Sequence, residues 1–302
     1  MKKLLFGLLL CYAASASAQS EYAVILDRIR TDMIPDAAGT ARQDKTIAST
    51  VMSQQGDGSW ADVDYGKDTR DFEAGTHLNR IKTFAQAYVN PASSFHQQAP
   101  VMNAITKGLQ YWNTKDPQSW NWYHNQIFSP QHLGEILILL EKTNIDAGLR
   151  SRLLKQMERG DPRKWTGANK LDIAAHYIYR ACLTANDTLM RLGVNEAFYP
   201  IFLTREEGIQ HDYGYQQHGP QLYIYGYGSV FVDGETRIAY YLRGTSYALA
   251  GDKLNIFSNF VRNTYLKAAR GSAIDWGTMG RSISRPNAMR TGGSANLVTQ
   301  SP

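Results

Sequence analysis

Apolar residues recurring at helical spacing constrain this chain more than any other feature. Tyr22, Ile25, Leu26 and Ile29 fall on one face, as do Met102, Ile105, Leu109 and Trp112, then Leu133, Ile136, Leu137 and Leu140. Leu149, Leu153 and Met157 follow, and later Leu254, Phe257, Val261 and Tyr265. Breakers separate these runs: "GDGS" at 56–59, "NPASS" at 90–94 and "GDPRKWTGAN" at 160–169. Ser129-Pro130 reads as a cap followed by proline in the first turn, and 171–193 as the longest helical run, interrupted at "TAND". Period-two alternation is scarce; "YIYGYGSVFV" at 223–232 reads as irregular or short extended backbone. About a dozen helices with moderate loops and no crisp short repeat predict an all-α single domain, an α/α barrel or toroid of diverged helical hairpins.

The first residues bear on compartment. "MKKLLFGLLLCYAASASAQS" carries Lys2 and Lys3, an apolar run and small residues ending at Ala18, the pattern of a secretory signal over 1–18. Cleavage after Ala18 is preferred to lipidation at Cys11, which follows Leu10 rather than a small residue. The mature chain is expected to be exported, periplasmic or extracellular. It keeps one cysteine, Cys182, in register with Leu171, Ala174, Ala175 and Ile178, so a core must supply the stability and the thiol reads as a small buried hydrophobe. No later apolar run approaches the roughly 18 residues of a membrane span. The charge of +5 falls to about +3 without Lys2 and Lys3, and no long basic block of the nucleic-acid type occurs. An acidic ligand must therefore be met by a few placed cations.

Three loops concentrate usable side chains. "YWNTKDPQSWNWYHNQIF" at 111–128 interleaves indoles with amides, which suits sugar rings: C–H faces stack on aromatics and hydroxyls take hydrogen bonds. Trp112 shares an apolar helix face and reads as core; for Trp122 and Tyr123 composition leaves core and ligand contact equally open. In "KWTGANKLD" at 164–172, Asn169 stands just before a helix, either as its cap or with its amide turned to a carboxylate. "YQQHGPQLYIYGYG" at 215–228 holds His218, Tyr223, Tyr225 and Tyr227 without an acidic residue, and Arg281 and Arg285 follow in "GRSISRP". His211 and His218 lack a zinc-binding spacing, and neither a nucleophile elbow nor a phosphate loop is present, so no metal or cofactor is expected. A tyrosine beside an arginine is acidified, because the cation favours phenolate, and such a base suits a carbon-bound proton.

"NWYHNQIFSPQHLGEILILLE", "TGANKLDIAAHYIYRA", "EEGIQHDYGYQQHGPQLYIYGYGSVF" and "RGSAIDWGTMGRSISRP" resemble, in order and spacing, consecutive motifs of polysaccharide lyase family 8. This is the family of chondroitin AC, hyaluronate and xanthan lyases, and the likeness covers about residues 20–287. The resemblance implies an incomplete α/α toroid over 19–287 and β-elimination at a 1,4 bond to a uronic acid, leaving a 4,5-unsaturated uronate. It implies a carboxylate-neutralising Asn169, a catalytic His218, a catalytic Tyr227, Arg281 beside the tyrosine, and Arg285. It also implies a sugar platform of Asn121, Trp122 and Tyr123, where a tyrosine stands in place of the family's second tryptophan.

The expected partner is an acidic polysaccharide, a glycosaminoglycan such as chondroitin sulfate or hyaluronan, met by a monomer with no role for nucleic acid or membrane. Enzymes of the family continue into C-terminal β-sandwich domains, whereas this sequence closes on a divergent tail at 288–302. The alternative reading is thus a truncated, non-catalytic glycosaminoglycan-binding protein or an inactive fragment. Hydrolysis is disfavoured, since a glycosidase needs two carboxyl groups flanking the bond and these motifs supply none in matched positions.

Overall fold

The computed structural model describes residues 21–66 and 71–285, so the expected signal at 1–18 and the tail at 288–302 lie outside the described residues. Ten α-helices occur among the described residues: α1 (21–33), α2 (Ala37–Met52), α3 (Gly75–Val89), α4 (Ala99–Lys115), α5 (Ser129–Leu139), α6 (Ala147–Gln156), α7 (Gly167–Thr184), α8 (Asp187–Ala197), α9 (Tyr227–Leu242) and α10 (Gly251–Phe260). The all-α expectation holds. None of the described helices is long and apolar enough to cross a membrane.

The chain divides into two compact units, one of residues 1–161 and 175–190, the other of 162–174 and 191–302. In the first, α3 packs on α4 and α5. Leu78, Ile81, Ile105, Leu109, Ile136 and Leu137 are buried there with Trp112, which the periodicity assigned to the core. Asp36 and Asp146 cap α2 and α6 through backbone N–H groups three residues on, at 2.7 Å each, satisfying donors a helix start leaves open. Asp116, in the left-handed region at φ 44°, ends α4. At "TAND", Ala185 takes φ 50° and Asn186 Oδ1 accepts from Leu189 N–H, so the run breaks into α7 and α8 where the sequence predicted. Cys182 is buried and its thiol is pushed up by desolvation, consistent with a packing role.

One expectation here needs correction. Ser129 is the first helical residue of α5 rather than its cap, because a π-helical turn, His124–Phe128, runs directly into the helix.

The second unit packs around aromatic rings. Tyr215 stacks on Phe231 at 5.3 Å and lies 5.8 Å from Phe260, and Tyr225 stacks on Tyr265 at 4.6 Å. A small sheet joins β1 (Leu203–Thr204) parallel to β2 (Gly208–Gln210), and β2 antiparallel to β3 (Tyr215–Gln216). A two-residue pair, β4 (Ala269–Arg270) and β5 (Ala273–Ile274), follows.

Three readings change in this unit. The stretch 223–232 is irregular only to Gly226; from Tyr227 it is α9, whose Phe231 and Val232 fill the core at helical spacing that overlaps a period-two pattern. α7 starts at Gly167, so Asn169 is inside its first turn rather than before it. Leu254 is 43 % exposed while Phe257 and Tyr265 are buried, so Leu254 lies off the buried face of α10, and a π-helical turn at Val261–Tyr265 follows the helix.

Candidate active site

The segment from Tyr215 to Tyr227 is a folded-back loop held by its own backbone. Tyr223 N–H donates to Tyr215 O at 2.7 Å, Gln217 N–H to Gln221 O at 3.3 Å and Gln221 N–H to Gly219 O at 2.7 Å. His218 sits at the tip with φ 60°, a left-handed conformation that costs a non-glycine residue on the order of 1 kcal/mol. Gly219 N–H donating to Glu207 Oε1 at 3.0 Å ties the tip down. The imidazole is thereby turned outward and is exposed.

Tyr227 opens α9, half-buried, and its ring meets the His218 ring edge to face, with centroids 4.7 Å apart. Arg281 arrives from a 3₁₀ turn, Gly280–Ser284, and its guanidinium lies 3.2 Å from His218 Nε2. A guanidinium only donates, so in this contact Nε2 is the acceptor, which assigns the ring proton to Nδ1. The expectation set Arg281 beside the tyrosine; its hydrogen bond is to the histidine. Its backbone N–H also donates to Gln221 Oε1 at 3.2 Å, joining the turn to the loop.

Tyr223 is central to this arrangement. Its ring is fully buried and meets Tyr227 edge to face at 5.2 Å, while its hydroxyl is bonded to Ser282 Oγ. Gly226 and Gly280 both have positive φ, and a Cβ at either would stand within 2.3 Å or 2.7 Å of the Tyr223 ring. Only glycine admits the ring between the two turns. Gln221 and Ser282 were missed in the sequence; the signal that could have found them is their place inside the two motifs.

Asn169 belongs to the same unit and is half-buried in the first turn of α7. Its neighbours Thr166, Gly167 and Lys170 line a cavity of about 440 Å³ together with Tyr215 and Gln217, which brings the start of α7 beside the strand leading to His218. Lys170 is buried, its ammonium paired with Glu196 and set 4.7 Å from the Tyr199 ring centroid. Arg285 is exposed just past the arginine turn, its N–H bonded to Ser282 O at 3.0 Å.

Asn121, Trp122 and Tyr123 lie in the first unit. Asn125 braces their loop, accepting from Ser119 N–H at 2.8 Å and donating to Ser119 O at 2.7 Å, and Asn121 Oδ1 accepts from Tyr123 N–H at 3.2 Å. The aromatic faces stay partly outward: Trp120 is 69 % and Tyr123 37 % exposed, and Trp122 is half-buried. Among the described residues, no group of three or more His, Cys, Asp or Glu is placed to hold a metal ion.

The helical fold that carries this cluster is that of a polysaccharide lyase N-terminal domain. Residues 22–301 match the model of polysaccharide lyase family 8, N-terminal alpha-helical domain, and the chain belongs to this family. It is 46 % identical over 248 residues to chondroitinase-AC of Pedobacter heparinus, an alignment covering 81 % of this chain and 35 % of that one. A solved chondroitinase AC lyase superposes with a TM-score of 0.83 at 42 % identity, covering 89 % of this chain and 40 % of the other. A Paenibacillus xanthan lyase, at 21 % identity and a TM-score of 0.80, shares the fold over 90 % of this chain and 28 % of its own. The chain thus spans little more than a third of the curated chondroitinase it matches.

Proposed function

We propose that this chain is an exported, monomeric lyase whose domain at 19–287 cleaves 1,4 bonds to uronic acid in chondroitin sulfate or hyaluronan by β-elimination. The observation that carries the reading is the contact set among His218, Tyr227 and Arg281, on a chain whose relatives are named as lyases.

The difficulty of the reaction lies in the C5 proton. Its removal next to a carboxylate builds a second negative charge, which must be met where it develops. Asn169, through its amide, and His218, through Nδ1–H, are the donors assigned to that carboxylate. Arg281 holds the imidazole at Nε2 and adds a positive charge beside the cluster. Deprotonated Tyr227 takes the C5 proton; the electron pair forms the C4=C5 double bond, the C4–O4 bond breaks, and the Tyr227 hydroxyl returns the proton to O4. One residue acting as base and then acid removes the need for a carboxylate pair. Asn121, Trp122 and Tyr123 are assigned to stacking and hydrogen-bonding sugar rings, and Arg285 to the anionic groups of the polymer.

The test is incubation of the purified chain with chondroitin sulfate or hyaluronan, following the ultraviolet-absorbing unsaturated uronate. Wild-type chain should form it and Tyr227→Phe should not, while retaining polymer binding. Binding without product in the wild type would replace this reading by that of a non-catalytic glycosaminoglycan-binding protein.

A further inference from the structure

We propose that Tyr223 is a positioning residue that sets His218, Tyr227 and Arg281 in register, acting through its hydroxyl on Ser282. The proposal rests on the lyase reading for its kinetic consequence, and on geometry for the rest.

The three active groups come from two separate pieces of chain, the loop ending at Tyr227 and the turn at Gly280–Ser284. A sub-ångström shift of one piece against the other would open the 3.2 Å contact between Arg281 and His218. Tyr223 spans both pieces. Its ring is clasped between Gly226 and Gly280, its edge supports the Tyr227 ring, and its hydroxyl is bonded to Ser282 Oγ, both groups being buried. Ser282 adjoins Arg281 in the same 3₁₀ turn, so fixing its side chain fixes the origin of the arginine. The second bridge, Arg281 N–H to Gln221 Oε1, joins residues of intermediate or full exposure and competes with water, so it holds the register less firmly. A buried hydroxyl pair leaves an unpaired polar atom when either partner is removed, which makes the Tyr223–Ser282 bond the stiffer restraint.

Tyr223→Phe keeps the ring and deletes the bond; Ser282→Ala deletes it from the other side and serves where the first variant fails to fold. Two readouts are taken on the full chain with each variant. The first is the ¹⁵N signature of the His218 ring at mildly alkaline pH: the wild type should show the Nδ1–H tautomer, and the variants a mixture. The second is the steady-state split on chondroitin sulfate: kcat should fall about tenfold to a hundredfold with KM changed less than about twofold, as expected of a lost near-attack geometry. The double variant should lose no more than either single one. Unchanged tautomer, or unchanged kcat in an active enzyme, overturns the proposal. A tautomer shift in a chain that makes no unsaturated product upholds the positioning role while the lyase reading fails. Wild-type values in both readouts, beside an inactive Tyr227→Phe, leave the lyase reading and remove the proposal.

Discussion

Two histidine–tyrosine pairs, one in each unit, use nearly the same parts to opposite effect. In the first unit His77 is fully buried, donating from Nε2 to Gly108 O at 2.9 Å and accepting at Nδ1 from the Tyr65 hydroxyl at 2.9 Å. Arg80 is near enough to act on both electrostatically. Desolvation holds the imidazole down to about 4 and pushes the phenol up to about 12, so both stay neutral at physiological pH. In the second unit His218 is exposed on a left-handed tip, Tyr227 is half-buried, and the arginine bonds the imidazole directly. In the first set both imidazole nitrogens and the phenol are hydrogen-bonded inside the protein. The second has an exposed imidazole beside a half-buried phenol. Residue identity does not separate structural from chemical use; burial does.

The largest effect that could break this contrast is on turnover. Tyr227→Phe should reduce unsaturated-uronate formation about 10³-fold. Tyr65→Phe should leave turnover within severalfold and lower stability by about 1–2 kcal/mol in urea unfolding, since it orphans His77 Nδ1 and Trp60 N–H. Equal losses of turnover in the two variants would erase the distinction.

The next effect is acid sensitivity seated in the first unit. His77 and the fully buried His176 are depressed by desolvation to about 4 and about 3. Below the ordinary histidine value of 6.5 the unfolded chain binds protons that the folded one refuses, so this stability is complete above that value and is lost as pH falls through the folded values. The loss should approach about 3 kcal/mol for His77 alone at the acid end of the window. Denaturant midpoints that stay flat from neutral pH down to this range would contradict it.

Smaller is the platform effect: Trp122→Ala should raise KM about fivefold, the worth of one aromatic stacking contact, with kcat nearly unchanged. A fall in kcat alone would move the loop from binding to chemistry.

Glu235 sharpens the contrast last. It is fully buried in α9, both carboxyl oxygens lack a hydrogen-bond partner among the described residues, and desolvation raises it well above the ordinary value. Its contribution is therefore complete below the ordinary glutamate range and is lost as pH rises toward the folded value, opposite in sign to His77. Glu235→Gln should raise the melting temperature at neutral pH by about 2 °C or more and have less effect in acid. A lower melting temperature at neutral pH would show that the ionised carboxylate is preferred.

Much of this was legible along the chain. The faces of α1, α4, α5 and α6 carry the buried residues that their spacing predicted, Met102 at the start of α4 being only half-buried, because a helix repeats its contacts every turn. The break at "TAND" and the core role of Trp112 follow from the same local rule. The rule failed at Ser129, where a π-helical turn runs into the helix and moves its start, and at Leu254, which lies off the buried face of its helix. It failed again at 227–232, where alternation and helical spacing coincide over six residues.

Local sequence determined the helices, and motif order singled out His218, Tyr227, Asn169 and Arg281 as candidates, because spacing and side-chain chemistry are properties of the chain itself. Only the tertiary structure decided that Arg281 bonds the histidine, that Tyr223 is clasped by glycines 54 residues apart, and that His77 is silent while His218 faces water. Those outcomes depend on which distant groups exclude water from a side chain, and solvent exclusion is set by packing rather than by position along the chain.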